Sequence, residues 1–204
     1  VSNNKDVQLD NMTLRYLGLV GNGKKYGEQY KSYWMEEPEK VIPYILYVPS
    51  KYDPEIPSKM VVFLHGGSIY EGEKYAFHFS DNQIQPACEK YNYILLCTNA
   101  VTLLSTYGNP HTPTGVKATP AVNKWGDDSV MQAIATVKAN YNIDTDHIYL
   151  MGNSMGGFGT FYLPTRHPGM FRAIAPGGAA TDNNMVDLDK LRGLPIFHVC
   201  GTED

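Results

Sequence analysis

The chain has 204 residues, of which 43% are hydrophobic and 19% charged, and its net charge is −4 at neutral pH. That length suffices for one sizeable domain with a real core. It lacks the basic excess that nucleic acid demands, an acidic tail for a basic partner, and any apolar run long enough to span a bilayer. The three cysteines, Cys88, Cys97 and Cys200, form no disulfide framework and have no metal-ligand spacing, and nothing in the sequence implies a metal or an organic cofactor. Cys97 and Cys200 sit in apolar, strand-like runs and read as buried thiols.

Taken in chain order, the first forty residues read as an antiparallel extension. Thr13–Val20 and Gln29–Met35 have strand character, with Gly21-Asn22-Gly23 as turn chemistry between them. Val41–Val48 is a third strand, closed by Pro49. Met60-Val-Val-Phe-Leu64 is a short continuous apolar run, the pattern of a buried parallel strand, and Tyr93-Ile-Leu-Leu-Cys97 is another. A helix fits Gln85–Tyr91, with Pro86 tolerated in its first turn. Thr98–Trp125 has no periodicity and contains three prolines, so it reads as a long functional loop. A helix capped by Asp127 or Asp128 follows, with Val130, Met131, Ile134, Val137 and Tyr141 at helical spacing.

His147–Met151 is β-prone, and a helix-compatible stretch starts after Ser154. Between them Gly152-Asn153-Ser154-Met155-Gly156 reads G-x-S-x-G. In a strand–turn–helix context this pattern is a nucleophile elbow, which lifts the serine hydroxyl above the sheet. Gly152 and Gly156 leave room for strand and helix to approach closely. Pro164 should kink or end the helix. Phe171–Ala175 and Ile196–Cys200 complete the strands, and their alternation with helices predicts a parallel α/β sheet.

A serine hydroxyl attacks well only when a base takes its proton and donors hold the oxyanion. The expected donors are the Met155 N–H and an N–H of Gly67 or Ser68, in the His65-Gly66-Gly67-Ser68 loop after the Met60–Leu64 strand. His65 braces that loop. His65, Asn153 and Trp125, with the loops Ser68–Ser80 and Thr98–Trp125, are expected to line the substrate pocket.

Leu64-His-Gly-Gly67, the elbow, and the stretch Arg166-His-Pro-Gly-Met-Phe-Arg-Ala-Ile-Ala-Pro176 together resemble α/β-hydrolases. The similar group is that of feruloyl and acetyl-xylan esterases and polyhydroxybutyrate depolymerases, and the likeness covers about 41–204. It implies an α/β-hydrolase fold, mostly parallel and flanked by helices, with residues 1–40 as an accessory β-hairpin. The chain then reads as a single domain whose core, 41–204, is incomplete at its C-terminus, lacking the last strand, the histidine loop and the terminal helix.

The resemblance further implies a serine esterase working through an acyl-enzyme on a small-molecule or carbohydrate-linked ester. Asp204, in the Gly201-Thr-Glu-Asp204 turn, corresponds to the family's triad acid, with Glu203 as a weaker substitute. The family's histidine follows the acid, and none of the six histidines here occupies that slot. His147 falls on the far face, His167 is distant, His198 reads as a core residue, and His78 and His111 lie in loops. A peptidase and a non-catalytic binding protein on the same fold are the competing readings. No nucleic-acid or membrane partner is expected. Self-association through an exposed Ile196–Cys200 edge and a secreted or periplasmic location complete the expectations.

Overall fold

A computed structural model describes residues 25–67, 84–102, 105–110, 118–181 and 185–202. The strands Gly27–Met35 (β1), Lys40–Val48 (β2), Ser58–Leu64 (β3), Ile94–Thr98 (β4), Ile143–Asn153 (β5) and Ala173–Gly177 (β6) form one sheet in the order β1-β2-β4-β3-β5-β6. The last four strands in that order are mutually parallel, whereas β2 pairs antiparallel with β4 and β1 pairs antiparallel with β2. Helices Gln85–Tyr91 (α1), Pro120–Asn140 (α2) and Met155–Arg166 (α3) connect them. This is the α/β arrangement expected from strands alternating with helices.

The central strands are apolar on both faces. Val62, Leu64, Leu95, Leu96 and Leu150 are all at most 1% exposed. Such runs suit parallel strands covered by helices, because no face is left for water. α2 buries Val130, Ile134 and Val137 of the expected stripe, with Ala133 beside them, whereas Met131 is half-buried and Tyr141 is the half-buried C-cap beyond the last turn.

Several boundaries differ from the sequence reading. α2 starts at Pro120, not at Asp127 or Asp128. Thr119 caps it by accepting the Val122 N–H at 3.3 Å, and Pro120 occupies the first turn. A proline there loses no helical hydrogen bond, so Pro120 begins a helix rather than punctuating a loop. The loop expected over Thr98–Trp125 therefore ends early, and it contains a 3₁₀ turn at Thr106–Gly108. β5 begins at Ile143, four residues before the expected His147, because Ile143 pairs with Ser58. α3 runs through Pro164 but stops two residues beyond it.

The Ile196–Cys200 run is not a full strand. It touches β6 through two parallel bridges, Ile174 with Ile196 and Gly177 with Val199. The backbone is nevertheless tied: Phe197 N–H donates to Ile174 O at 2.9 Å and Val199 N–H to Pro176 O at 3.1 Å. Ile196, Phe197 and Val199 are exposed, and so is Cys200. Cys200 is exposed, which overturns the expectation of a buried thiol there, whereas Cys97 is buried in β4. The Thr13–Val20 strand and its turn lie outside the described residues. β1, covering the expected Gln29–Met35 strand, pairs along its full length with β2. Among the described residues no helix is long and apolar enough to cross a membrane.

Candidate active site

β5 ends at Asn153 and α3 begins at Met155, so Ser154 makes the whole turn. Its backbone sits at φ 54° and ψ −117°, a conformation L-residues rarely adopt. Two ties hold it there. Ser154 N–H donates to Gly177 O at 2.9 Å, and Ser154 O accepts the Phe158 N–H at 3.1 Å. The Ser154 side chain makes no capping bond to α3, and the residue is exposed.

The turn is possible because strand, helix and neighbouring loop nearly touch. A Cβ on Gly152 would lie 2.4 Å from Gly156 O, and a Cβ on Gly156 would lie 2.0 Å from Leu64 O. The start of α3 is therefore pressed against the end of β3, where the His65-Gly66-Gly67 loop begins. Gly66 faces the elbow: a Cβ there would meet Asn153 O at 3.3 Å and Ser154 Cβ at 3.5 Å. Met155 is buried and is the first residue of α3. Its backbone N–H has no partner within the helix and lies at the positive end of the helix dipole.

His65 is buried behind this loop. Its Nδ1 lies 2.8 Å from Gly66 O, and its Nε2 lies 3.3 Å from the Ala100 N–H. A carbonyl can only accept and an amide N–H only donate, so the ring is neutral with its proton on Nδ1. Burial lowers its pKa from 6.5 to about 4. The native pKa lies below the unfolded value, so the unfolded chain takes up the proton first. The stability that neutral His65 contributes is complete above about pH 6.5 and is lost as pH falls toward 4, by about 3 kcal/mol in all. Urea midpoints measured between pH 7 and pH 4.5 should therefore fall more steeply for the wild type than for His65→Asn. Parallel pH profiles would refute this account.

The other described imidazoles are committed elsewhere. His147 Nδ1 lies 2.6 Å from Asp144 Oδ2, and His167 Nε2 lies 2.5 Å from Asp127 Oδ1. His198 is exposed, with Nε2 2.7 Å from Ala179 O, which corrects its reading as a core residue. Among the described residues its segment lies at the edge of the sheet, bridged only to β6. His78, His111, Ser68, Glu203 and Asp204 lie outside the described residues. No group of three or more His, Cys, Asp or Glu side chains suited to a metal occurs among the described residues.

Ser154, Asn153, Gly66 and Gly67 share one cavity of about 730 Å³. Its apolar walls include Phe63, Met151, Phe197 and Val199. Of the residues expected around the serine, the structure thus gathers Asn153 and Gly67 at the cavity, with Met155 and His65 directly behind. Trp125 is not brought there. It lies on α2 and packs against the buried cluster of Met35, Ile42 and Val101. Sequence reasoning passed over two features. One is the Gly177 carbonyl that receives the Ser154 N–H; its signal is Gly177-Gly178 at the end of the strand beside β5. The other is the apolar wall from Phe197 and Val199, whose alternate positions face the cavity.

The family model "Esterase" matches residues 35–204. A bifunctional acetylxylan esterase/xylanase of Neocallimastix patriciarum is 29% identical over 160 residues, 78% of this chain and 21% of that protein. The chain therefore spans about a fifth of the length of that relative. Among solved structures, a thermostable esterase superposes with a TM-score of 0.65 at 23% identity, covering 84% of this chain and 45% of that one. A ferulic acid esterase from Anaeromyces mucronatus gives a TM-score of 0.57 at 18% identity, covering 89% and 74%. At these identities the structural likeness is one of fold.

Proposed function

The chain belongs to the esterase family, and on that premise we propose that it carries the nucleophile and oxyanion hole of a serine carboxylic-ester hydrolase. The observation that carries the reading is Ser154 itself, exposed at the strained apex between β5 and α3 with the Gly66–Gly67 loop beside it. Strain of this kind persists only where the surroundings enforce it, and it concentrates at functional sites.

In this reading Ser154 Oγ attacks the ester carbonyl while the family's triad histidine, which none of the described imidazoles supplies, takes its proton. The N–H groups of Met155 and of Gly67 or Ser68 hold the tetrahedral oxyanion. Collapse expels the alcohol, which leaves with that proton, and an acyl-serine remains. Water, deprotonated by the same imidazole, then releases the acid and restores Ser154. Asp204 orients the imidazole. The substrates are carbohydrate-linked esters, a class supported by what the acetylxylan and ferulic acid esterases are named for. The domain division, with 1–40 as an extension on a 41–204 core, belongs to the same proposal.

A fluorophosphonate probe tests it, because such probes phosphonylate only an activated serine. The full-length protein should be labelled on the peptide containing Ser154, and Ser154→Ala should lose all labelling. Labelling that persists in the alanine variant would remove Ser154 from this role.

A further inference from the structure

Behind the Gly66–Gly67 loop lies a segment of unusual backbone. Thr106 has φ 42° and Tyr107 φ 54°, two consecutive non-glycine residues in the left-handed region. Thr106 is β-branched, for which this conformation is least tolerated. Residues 105–109 are all buried. The segment is wedged against α3: a Cβ on Gly159 would lie 2.6 Å from Tyr107 Cβ. Asn109 Nδ2 donates to Phe158 O at 3.3 Å, in the first turns of the same helix. The strain is thus concentrated where Tyr107 is presented.

Tyr107 is fully buried, and its hydroxyl reaches His65 O at 3.4 Å. Its ring meets the His65 imidazole edge-on, with centroids 5.6 Å apart. The hydroxyl of Thr98 is the phenol's other partner. Burial holds the phenol in its protonated, donating form.

Peptide geometry gives these contacts a consequence. In a trans peptide the C=O of one residue and the N–H of the next point in opposite directions. Tyr107 restrains the His65 carbonyl and so sets the direction of the Gly66 N–H. The His65 Nδ1–H restrains the Gly66 carbonyl and so sets the direction of the Gly67 N–H. Two successive carbonyls are drawn back toward the protein, and the N–H groups they share peptides with are turned from it.

We propose that Tyr107 is a positioning residue for the oxyanion loop, aligning the Gly66 and Gly67 N–H groups through the His65 carbonyl and ring. This rests on the esterase reading above. The strained 105–109 segment is the structure that makes the alignment: it sets a rigid aromatic donor at the one carbonyl whose peptide starts the loop. Small misplacements of an oxyanion donor cost rate, because its stabilisation is realised only in the transition state.

The test is Tyr107→Phe in the full-length protein, with 4-nitrophenyl acetate as substrate and Ser154→Ala in the same assay. Tyr33→Phe is the structural control, since Tyr33 is a half-buried tyrosine whose hydroxyl donates to Ser129 O, on α2, at 2.6 Å. Tyr107→Phe should lower kcat about ten- to a hundred-fold with KM unchanged, and slow fluorophosphonate labelling in parallel. Tyr33→Phe should leave kcat within two-fold. If Tyr107→Phe shows no cooperative melting, Asn109→Ala, which loosens the same segment, carries the test with the same expected loss in kcat. A kcat within two-fold of wild type, or a change confined to KM, overturns the inference while a dead Ser154→Ala keeps the esterase reading. Hydrolysis unaffected by Ser154→Ala would overturn both.

Discussion

Gly156→Ala should leave little or no native protein. The added methyl would sit 2.0 Å from Leu64 O, 2.5 Å from Leu64 C and 2.8 Å from His65 O. All three are backbone atoms, two in the last residue of β3 and one just past it, and β3 is hydrogen-bonded on both sides, to β4 and to β5. Leu64 is fully buried, so it has no space to retreat into. The clash can be relieved only by lifting α3 from the sheet, which would break the packing of Phe161 and Leu163 as well. A cost beyond about 4 kcal/mol is expected, a large share of the roughly 5–15 kcal/mol that holds a domain folded. Circular dichroism melting should show a drop in Tm on the order of 10–20 °C, or no transition at all. A variant melting within about 3 °C of wild type would show that the elbow is looser than described.

Ser154→Gly should be inactive and yet more stable than Ser154→Ala. Both variants lose the hydroxyl, and removal of a nucleophilic serine typically lowers kcat on the order of a million-fold. They differ in backbone strain. At φ 54° and ψ −117° an alanine keeps the steric cost of its Cβ, whereas glycine has none. That relief, about 1–3 kcal/mol, exceeds the extra chain entropy glycine loses on folding, roughly 0.5–1 kcal/mol. The glycine variant should therefore melt about 2–4 °C above the alanine variant. The reverse order would mean that the turn stores no strain at this residue. The expected result is a local exchange of stability for function: the conformation that exposes the hydroxyl is one the chain would not choose unaided.

Much of the fold was legible because its signals are local. The apolar runs at β3 and β4 and the helix at Gln85–Tyr91 stand where composition and periodicity place them. The elbow is legible for the same reason: its glycines, serine and flanking strand fall within a dozen consecutive residues. What failed were inferences that depend on distant partners. Pro120 opens a helix because Thr119 caps it, and a proline by itself does not distinguish a first turn from a loop. β5 starts before His147 and takes in Asp144 and Asp146 because Ser58 lies opposite Ile143. Trp125, expected at the pocket, packs instead against Met35 of β1 and Ile42 of β2, 90 and 83 positions earlier in the chain. Tyr107 carries no sequence signal at all. Its place depends on two left-handed residues, a glycine on α3 and a histidine on another loop meeting in space.

The thin attachment of residues 196–199 to β6 has a consequence for exchange with solvent. The amides of Phe197 and Val199 are engaged with Ile174 O and Pro176 O. Those of Ile196 and His198, half a pleat out of phase, turn the other way. In deuterated water neighbouring amides of one short segment would keep different clocks, slow at 197 and 199, fast at 196 and 198. The fast pair is a built-in gauge: any strand that comes to lie along this side of the sheet would register first as a slowing at those two positions.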